Sequence, residues 1–252
     1  MDRSPLAGWA IALMRSLRDK GVRDRTGLHA IEGVRAVLQD TIIHSRILLR
    51  NGRAQRLVRL AGCRTVDATP EEFRRVSIAE RASGIAAIVR QHWRPLEGAD
   101  PRRGLCWIAV RWLRSPGNLG TILRAAEAAG AAGLICLGRA MDPFDPNVVR
   151  ASMGSLFHLQ FVRAELPAFA AWARRHGCRV IGTSPSAAAA YTEVPVEPPV
   201  VVMLGEERGG LTADEKAACT HMARIPIAGR ADSLNVAVAA GVMLYEILRR
   251  RP

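Results

Sequence analysis

The sequence predicts an α/β fold whose C-terminal part is built on a mostly parallel β-sheet. Apolar runs of strand length recur through residues 105–227, and segments with helical periodicity lie between most of them. Breaker-rich and charged residues at 93–103 separate this region from an N-terminal part in which short helical and strand patterns also alternate. Nearly half of the 252 residues are apolar, which is enough for a substantial core.

The N-terminal part begins with a predicted helix, because Trp9, Leu13 and Leu17 recur at a spacing of four residues. The apolar stretch 6–14 is short and no small-residue cleavage site follows it, so a helix is favoured over a signal peptide. The patterns that follow predict a small α/β sandwich. Its elements are a helix entered within residues 28–38, a strand at 45–49, a helix at 54–61, a strand at 64–66, a helix at 70–76 that starts on proline, and a buried strand at 84–89.

The C-terminal part alternates more regularly. Its predicted strands are residues 105–112, 133–137, 178–183, 200–204 and 223–227, and its predicted helices are residues 119–129, 166–176, 213–220 and 234–249. Open parallel sheets bind ligands at the carboxyl ends of their strands. Three polar segments each follow one of these strands, so we expect them to converge on one site.

The charge distribution favours a polyanionic partner. Residues 1–103 hold 20 Arg and Lys against 11 Asp and Glu, whereas residues 104–252 hold 16 against 12, so the positive excess is concentrated in the N-terminal part. Such a surface binds nucleic-acid phosphates without reading sequence. Lys20 and Lys216 are the only lysines; a GC-rich genome would produce the same preference for arginine, but the field is positive either way.

The five cysteines are scattered singly and in odd number, so the sequence predicts neither a metal site nor a disulfide framework. Reduced thiols in a cytoplasmic protein are expected. No apolar run is long enough to span a bilayer, so no membrane association is expected.

The first of the three segments, residues 114–120, follows a strand and opens a helix. The predicted buried stripe of that helix is Leu119, Ile122, Leu123, Ala126 and Gly130. Gly120, Arg124 and Glu127 fall on another face, where Arg124 and Glu127 would form an ordinary surface pair and Asn118 would cap the helix. The glycines do not match the Gly-x-Gly-x-x-Gly spacing, which argues against a nicotinamide-dependent oxidoreductase.

The second segment, residues 205–211, extends a buried strand into a charged, glycine-rich turn. Thr212 or Asp214 would cap the helix that follows. In the third, residues 225–227 end a strand and residues 233–235 start the last helix, with Ser233 as the predicted N-cap. That helix is apolar nearly all round, so we expect it to be buried on several sides.

In this order and at these spacings the three segments resemble the signature motifs of the SpoU-TrmH branch of the SPOUT RNA methyltransferases. The resemblance implies a homodimer that uses S-adenosyl-L-methionine to methylate a ribose 2'-hydroxyl of RNA. It also implies a deep trefoil knot in the C-terminal sheet. Residues 30–33 and 84–89 are similar to parts of the ribosomal-protein-like RNA-binding domain that often precedes this catalytic domain.

The resemblance also assigns site residues. It implies catalytic roles for Asn118, Arg124, Glu207, Ser233 and Asn235, cofactor contacts for Thr183, Leu204, Gly205, Ile225, Ile227 and Leu234, and an RNA contact for Arg150. Family accounts often make the arginine the base, but a guanidinium is almost never neutral in a protein. We therefore expect Arg124 to hold an RNA phosphate and stabilise the developing alkoxide. Glu206 and Arg208 depart from the family pattern of a small or amide residue and a glycine.

These inferences give four predicted regions: an N-terminal helical extension at 1–24, an RNA-binding domain at 25–93, a linker at 94–103 and the methyltransferase domain at 104–252. Ribosomal RNA is the expected substrate because the appended domain is of the ribosomal-protein type. Two alternatives stay open at this point. They are a transfer RNA 2'-O-methyltransferase and a non-catalytic RNA-binding or ribosome-assembly protein on the same scaffold.

Overall fold

A computed structural model describes residues 5–34, 36–37, 45–50, 64–79 and 82–251. The described strands are β1 (Leu28–Glu32), β2 (Ser45–Arg50), β3 (Arg64–Asp67), β4 (Ile85–Arg90), β5 (Trp93–Arg94), β6 (Trp107–Val110), β7 (Gly133–Leu137), β8 (Gln160–Ala164), β9 (Arg179–Thr183), β10 (Ala189–Ala190), β11 (Val200–Leu204) and β12 (His221–Arg224). The described helices are α1 (Pro5–Ser16), α2 (Lys20–Thr26), α3 (Pro70–Val76), α4 (Pro116–Ala128), α5 (Pro146–Ala151), α6 (Leu166–Arg175), α7 (Ala213–Ala218) and α8 (Val236–Arg249). They fall into two compact units.

The first unit comprises Met1–Gln91 and Pro143–Phe157. Its sheet has the order β1-β4-β2-β3, in which β4 runs antiparallel to β1 and β2 while β2 and β3 are parallel. The first five residues of β4 are buried, so this strand forms the centre of the sheet. Helix α1 packs on α3, and Met14, Phe73 and Leu17, the residue that follows α1, belong to the same buried cluster. Thr69 and Glu72 form a capping box at the start of α3, which is why the helix begins on Pro70.

Most element predictions for this unit are confirmed, but the helix predicted within residues 28–38 is wrong at its start. Residues Leu28–Glu32 form β1, whose side chains alternate between half-buried and buried and which pairs with β4. A period of two belongs to a strand, and this sheet contact decides the conformation against helical propensity. The helix predicted at 54–61 lies outside the described residues.

The second unit comprises His92–Asp142 and His158–Pro252. Its eight strands have the order β10-β12-β9-β11-β6-β7-β8-β5, and all seven neighbouring pairs are parallel, which confirms the predicted mostly parallel sheet. Strands β6, β7 and β11 are buried along their whole length, as expected for a sheet covered on both faces. Helix α4 packs against α8, and α6 packs against α7.

Several details of this unit differ from the predictions. The last strand is His221–Arg224 rather than residues 223–227, because Pro226 has no N–H to donate to a ladder. Asn235, not Ser233, is the N-cap of α8: its side chain accepts hydrogen bonds from the N–H groups of Ala237 and Val238. Strand β8 and helix α5 were not predicted.

Two glycines in and just after α4 have the opposite burial from that predicted. Gly120 is buried and Gly130 is exposed, whereas the apolar stripe was expected to contain Gly130 and to exclude Gly120. The helix ends at Ala128, before Gly130. Its contact with α8 widens the buried face beyond the stripe.

The compact units divide the chain differently from the four predicted regions. Helix α1, which lies within the predicted extension at 1–24, packs into the core of the first unit. The predicted linker at 94–103 overlaps β5, which pairs with β8, and its Leu96 is buried in the second core. Residues 143–157 join the first unit, although the predicted catalytic domain contains them. The knot and the RNA-binding role of the N-terminal part stay predictions.

Candidate active site

The three segments meet at one edge of the parallel sheet. Residues 114–118 follow β6, residues 205–211 follow β11, and residues 225–235 follow β12. Because β6 and β11 are parallel neighbours, their carboxyl ends lie side by side. This is the edge at which open α/β sheets bind ligands.

The Glu207 carboxylate links the second segment to the first. It accepts hydrogen bonds from the backbone N–H of Arg114 at 2.9 Å, the backbone N–H of Ser115 at 3.1 Å and the Asn118 side-chain amide at 3.0 Å. Partial burial acts to raise the pKa of Glu207, but these hydrogen bonds outweigh burial and hold the pKa below its ordinary value. Glu207 is therefore ionised at neutral pH, and its oxygens are engaged by donors.

Hydrogen bonds hold both the nitrogen and the oxygen of the Asn118 side-chain amide. Its Nδ2 donates to Glu207, and its Oδ1 accepts a hydrogen bond of 3.0 Å from the Asn235 side-chain amide. The Oδ1 atom of Asn235 in turn caps α8, accepting from Ala237 N–H at 2.8 Å. An Asn235–Asn118–Glu207 chain thus fixes the orientation of the Asn118 amide. The sequence patterns did not predict these bonds.

The helix cap at the first segment is Ser115 rather than Asn118. The Ser115 Oγ accepts a hydrogen bond of 3.3 Å from Asn118 N–H, and Pro116 follows at the first helical position. A serine before proline at a helix start is a recognisable signal that could have identified Ser115. Arg114 donates its backbone N–H to Glu207, and no pattern of side chains could have identified such a contact.

A cavity of about 330 Å³ opens beside this chain of hydrogen bonds. Five of the six predicted cofactor residues line it: Thr183, Gly205, Ile225, Ile227 and Leu234. The sixth, Leu204, is the buried last residue of β11 and is not among the lining residues. Ser233 and Glu207, predicted to be catalytic, also line the cavity. A Cβ atom at Gly205 would lie 2.3 Å from the carbonyl carbon of Gly210, so the close backbone approach in this loop requires glycine.

The two predicted arginines lie outside this cavity lining. Arg124 is exposed on α4, six residues after Asn118, and no hydrogen bond or ion pair holds its guanidinium within the described ranges. Arg150 is exposed in the last turn of α5, in the first compact unit. A single chain therefore brings together Asn118, Glu207 and Asn235, but it does not bring Arg124 into their hydrogen-bond network.

Other chemistries find little support in the described part of the chain. Burial raises the pKa of the Cys106 thiol to about 12 and that of Cys178 to about 11, so these thiols are protonated at neutral pH. Among residues 5–34, 36–37, 45–50, 64–79 and 82–251, no cluster of three or more His, Cys, Asp or Glu is arranged to hold a metal. Within the same ranges no helix combines the length and apolarity needed to cross a bilayer.

Curated proteins similar to this chain carry related names. A 23S rRNA (uridine(2479)-2'-O)-methyltransferase from Streptomyces viridochromogenes is 32% identical over 93% of this chain and 87% of its own length. A 23S rRNA (guanosine(2553)-2'-O)-methyltransferase from Bacillus subtilis is 30% identical over 92% and 93% of the two chains. An uncharacterised tRNA/rRNA methyltransferase from Synechocystis sp. is 38% identical over 64% of this chain, which spans 58% of that relative.

Solved structures give the same assignment. The AdoMet-bound rRNA methyltransferase from Sinorhizobium meliloti superposes with a TM-score of 0.89 at 32% identity, over 98% of this chain and 97% of that one. The model of the SpoU rRNA Methylase family matches residues 106–245, more than half of the sequence and all three segments of the site. This protein belongs to the SpoU rRNA methylase family.

Proposed function

We propose that this protein transfers the methyl group of S-adenosyl-L-methionine to a ribose 2'-hydroxyl of ribosomal RNA. The observation that carries the proposal is the Asn235–Asn118–Glu207 chain beside the cavity at residues 205–211. The names of the two relatives that match nearly the whole chain support ribosomal RNA as the substrate class. The positive excess in residues 1–103 supports a polyanionic substrate.

The cavity suits the cofactor in size and lining. Its volume of about 330 Å³ lies within the range of small-molecule sites. Ile225, Ile227 and Leu234 offer apolar walls to an adenine ring, while Thr183 and Ser184 offer hydroxyl groups to a ribose or a methionyl group. When bound, the cofactor supplies an electrophilic methyl group on a sulfonium centre.

The residues of the chain would then orient the ribose and stabilise the negative charge that develops on its 2'-oxygen. Because Glu207 is ionised and accepts three hydrogen bonds, we assign it the role of holding Asn118 rather than of removing the 2'-proton. Asn118 and Ser233 would orient the ribose at the mouth of the cavity. Arg124, a permanent cation on an exposed helix face, would hold an RNA phosphate and stabilise the developing alkoxide while the 2'-proton passes to solvent water.

Pairing of two copies through α8 would complete the site. An exposed stripe of α8 consists of residues at intervals of three and four: Val238, Gly241, Tyr245 and Leu248. Val238 and Tyr245 are about half exposed. An exposed apolar stripe on a helix of a globular protein is typical of an interaction surface. We therefore propose a homodimer in which Arg124 of one subunit serves the cavity of the other.

Two measurements test this proposal. Calorimetric titration of the full chain with S-adenosyl-L-methionine separates a methyltransferase from a non-catalytic RNA-binding protein, which would give no binding heat. Mapping of ribose methylation in total RNA from cells with and without the gene should reveal one missing 2'-O-methyl group in ribosomal RNA. A missing group in transfer RNA alone would overturn the substrate assignment.

A further inference from the structure

The turn at residues 205–210 is built around the Glu206 side chain. The Glu206 Oε2 atom accepts hydrogen bonds from Gly209 N–H at 2.5 Å and from Arg208 N–H at 3.2 Å. The backbone of Glu206 also exchanges two hydrogen bonds with Gly210, of 3.1 and 2.9 Å, and Gly210 adopts a φ of +64°. Three backbone N–H donors and one carbonyl acceptor of the turn are therefore bonded to Glu206.

The second oxygen of the same carboxylate binds outside the turn. Oε1 of Glu206 pairs with the Nε atom of Arg114, in the segment that follows β6. Arg114 is thus held twice by consecutive glutamates, because its backbone N–H donates to Glu207 while its guanidinium pairs with Glu206. Only 16% of the Glu206 side chain is exposed, compared with 58% for Arg114, so the carboxylate is the more enclosed partner.

This turn is also one wall of the cavity. Residues Gly205–Leu211 all line it, so the position of the turn sets the width of the space available to a ligand. The contacts of Glu207 fix Asn118 and the start of α4, whereas those of Glu206 fix the turn itself. Glu207 therefore acts on the reactive side of the site, and Glu206 acts on the side of the cavity that would hold the cofactor.

We propose that Glu206 is a positioning residue for cofactor binding, and that its pairing with Arg114 holds the turn at residues 205–210 in the conformation that forms the cavity wall. This inference rests on the proposed function, because it takes S-adenosyl-L-methionine as the ligand. Losing the carboxylate frees the turn, and part of the binding energy is then used to order it again. The cofactor then binds more weakly, while Glu207 still holds Asn118 on the reactive side.

Direct titration with S-adenosyl-L-methionine tests the proposal in the full chain. We expect Glu206→Ala to weaken cofactor binding about tenfold, since charge-assisted hydrogen bonds to two amides and a guanidinium are lost. Arg114→Ala should weaken binding by about threefold, the scale of an exposed ion pair, and this difference should shrink in high salt. Glu206→Gln, which keeps an amide acceptor, should fall between Glu206→Ala and the unmodified chain.

Arg114→Ala keeps the inference testable if Glu206→Ala fails to fold. It removes only the guanidinium and leaves the backbone N–H that serves Glu207. With saturating cofactor, the turnover number of Arg114→Ala should stay within about twofold of the unmodified chain, so that KM for the cofactor changes and kcat does not.

A matched control is the pair of Arg179 and Glu197, which lies in the same compact unit, joins Nε to a carboxylate oxygen at 3.2 Å and does not line the cavity. Arg179→Ala should leave cofactor affinity unchanged. Equal cofactor affinity in the unmodified chain, Arg114→Ala and a folded Glu206→Ala would overturn this inference alone. Absence of binding in the unmodified chain would instead overturn the proposed function.

Discussion

The Asn118 side chain donates a 3.0 Å hydrogen bond to Glu207, which stands 89 residues later in the sequence. This contact joins the first turn of α4 to the loop after β11, and Asn235 extends it to the start of α8. A side chain that is bonded at both its oxygen and its nitrogen has a fixed orientation before any substrate arrives. Preorganisation of this kind is what a methyl transfer controlled by geometry requires.

The first prediction concerns Glu207. Glu207→Gln keeps the shape of the side chain but replaces one acceptor oxygen with a donor, which opposes the N–H groups of Arg114 or Ser115. We expect methyl transfer to fall by a factor of about 10 to 100, because Asn118 loses its fixed orientation. Steady-state kinetics with saturating cofactor measures the change, and activity equal to that of the unmodified chain would contradict the role assigned to Glu207.

The second prediction follows from the lowered pKa of Glu207, whose ordinary value is 4.5. A carboxyl group with a lower pKa in the folded state binds fewer protons there than in the unfolded chain. Its contribution to stability is therefore complete above pH 4.5 and is lost as the pH falls through the folded-state pKa. The difference in melting temperature between the unmodified chain and Glu207→Gln should therefore shrink as the pH is lowered below 4.5 towards the folded-state pKa. A difference that is constant across this range would refute the prediction.

The sequence and the structure agree best where local chemistry decides the conformation. Buried strands such as β7 and β11 and the Pro-initiated helix α3 are predicted with their observed bounds, because hydrophobic runs, proline and capping residues act over a few positions. Strand β1 is missed because its conformation depends on β4, whose paired residues lie 54 to 62 positions away.

At the site, too, local features could be predicted from the sequence and long-range contacts could not. The cavity lining could be predicted from motifs that resemble a family, since glycine and apolar residues at strand ends are visible in the sequence. The contacts of Arg114 with Glu206 and Glu207 could not be predicted from the sequence. They join a guanidinium and a backbone N–H to residues more than 90 positions away. The cap of α8 was assigned to Ser233 because serine and asparagine are nearly equal capping residues, and only the fold selects Asn235.

The third prediction concerns the close approach at Gly205. In Gly205→Ala the new methyl group would meet the backbone of Gly210 and Leu211 at 2.3 to 2.7 Å, and backbone cannot move aside as a flexible side chain can. We expect a loss of about 1–3 kcal/mol in the free energy of unfolding, together with weaker cofactor binding. Gly229→Ala is the control, since nothing lies within 4 Å of a Cβ atom there. Equal stability of the two variants would contradict the observed packing.

The fourth prediction concerns the proposed dimer. Val238→Asp or Tyr245→Asp places a charge on the exposed apolar stripe of α8, and a charge buried in an interface without a partner is strongly unfavourable. Sedimentation equilibrium should show dissociation to monomers, with loss of methyl transfer. Ala171→Asp, at an exposed position of α6, is the matched control and should not change the molecular mass. A monomeric unmodified chain with full activity would refute the dimer.

The fifth prediction separates binding from catalysis at Arg124. Its guanidinium is exposed and is not part of the cavity lining, so Arg124→Ala should leave cofactor affinity unchanged. Methyl transfer should nevertheless fall by a factor of about 100 or more, the scale on which a positioned charge stabilises a developing alkoxide. Arg124→Lys keeps the charge but loses the planar fork, so we expect partial activity. Arg175→Ala, at an exposed position of α6, should behave like the unmodified chain. Mixing Arg124→Ala with the weakened Glu207→Gln chain provides the decisive measurement. If Arg124 serves the partner subunit, mixed dimers contain one intact composite site and regain activity, whereas a residue that acts within its own subunit restores none.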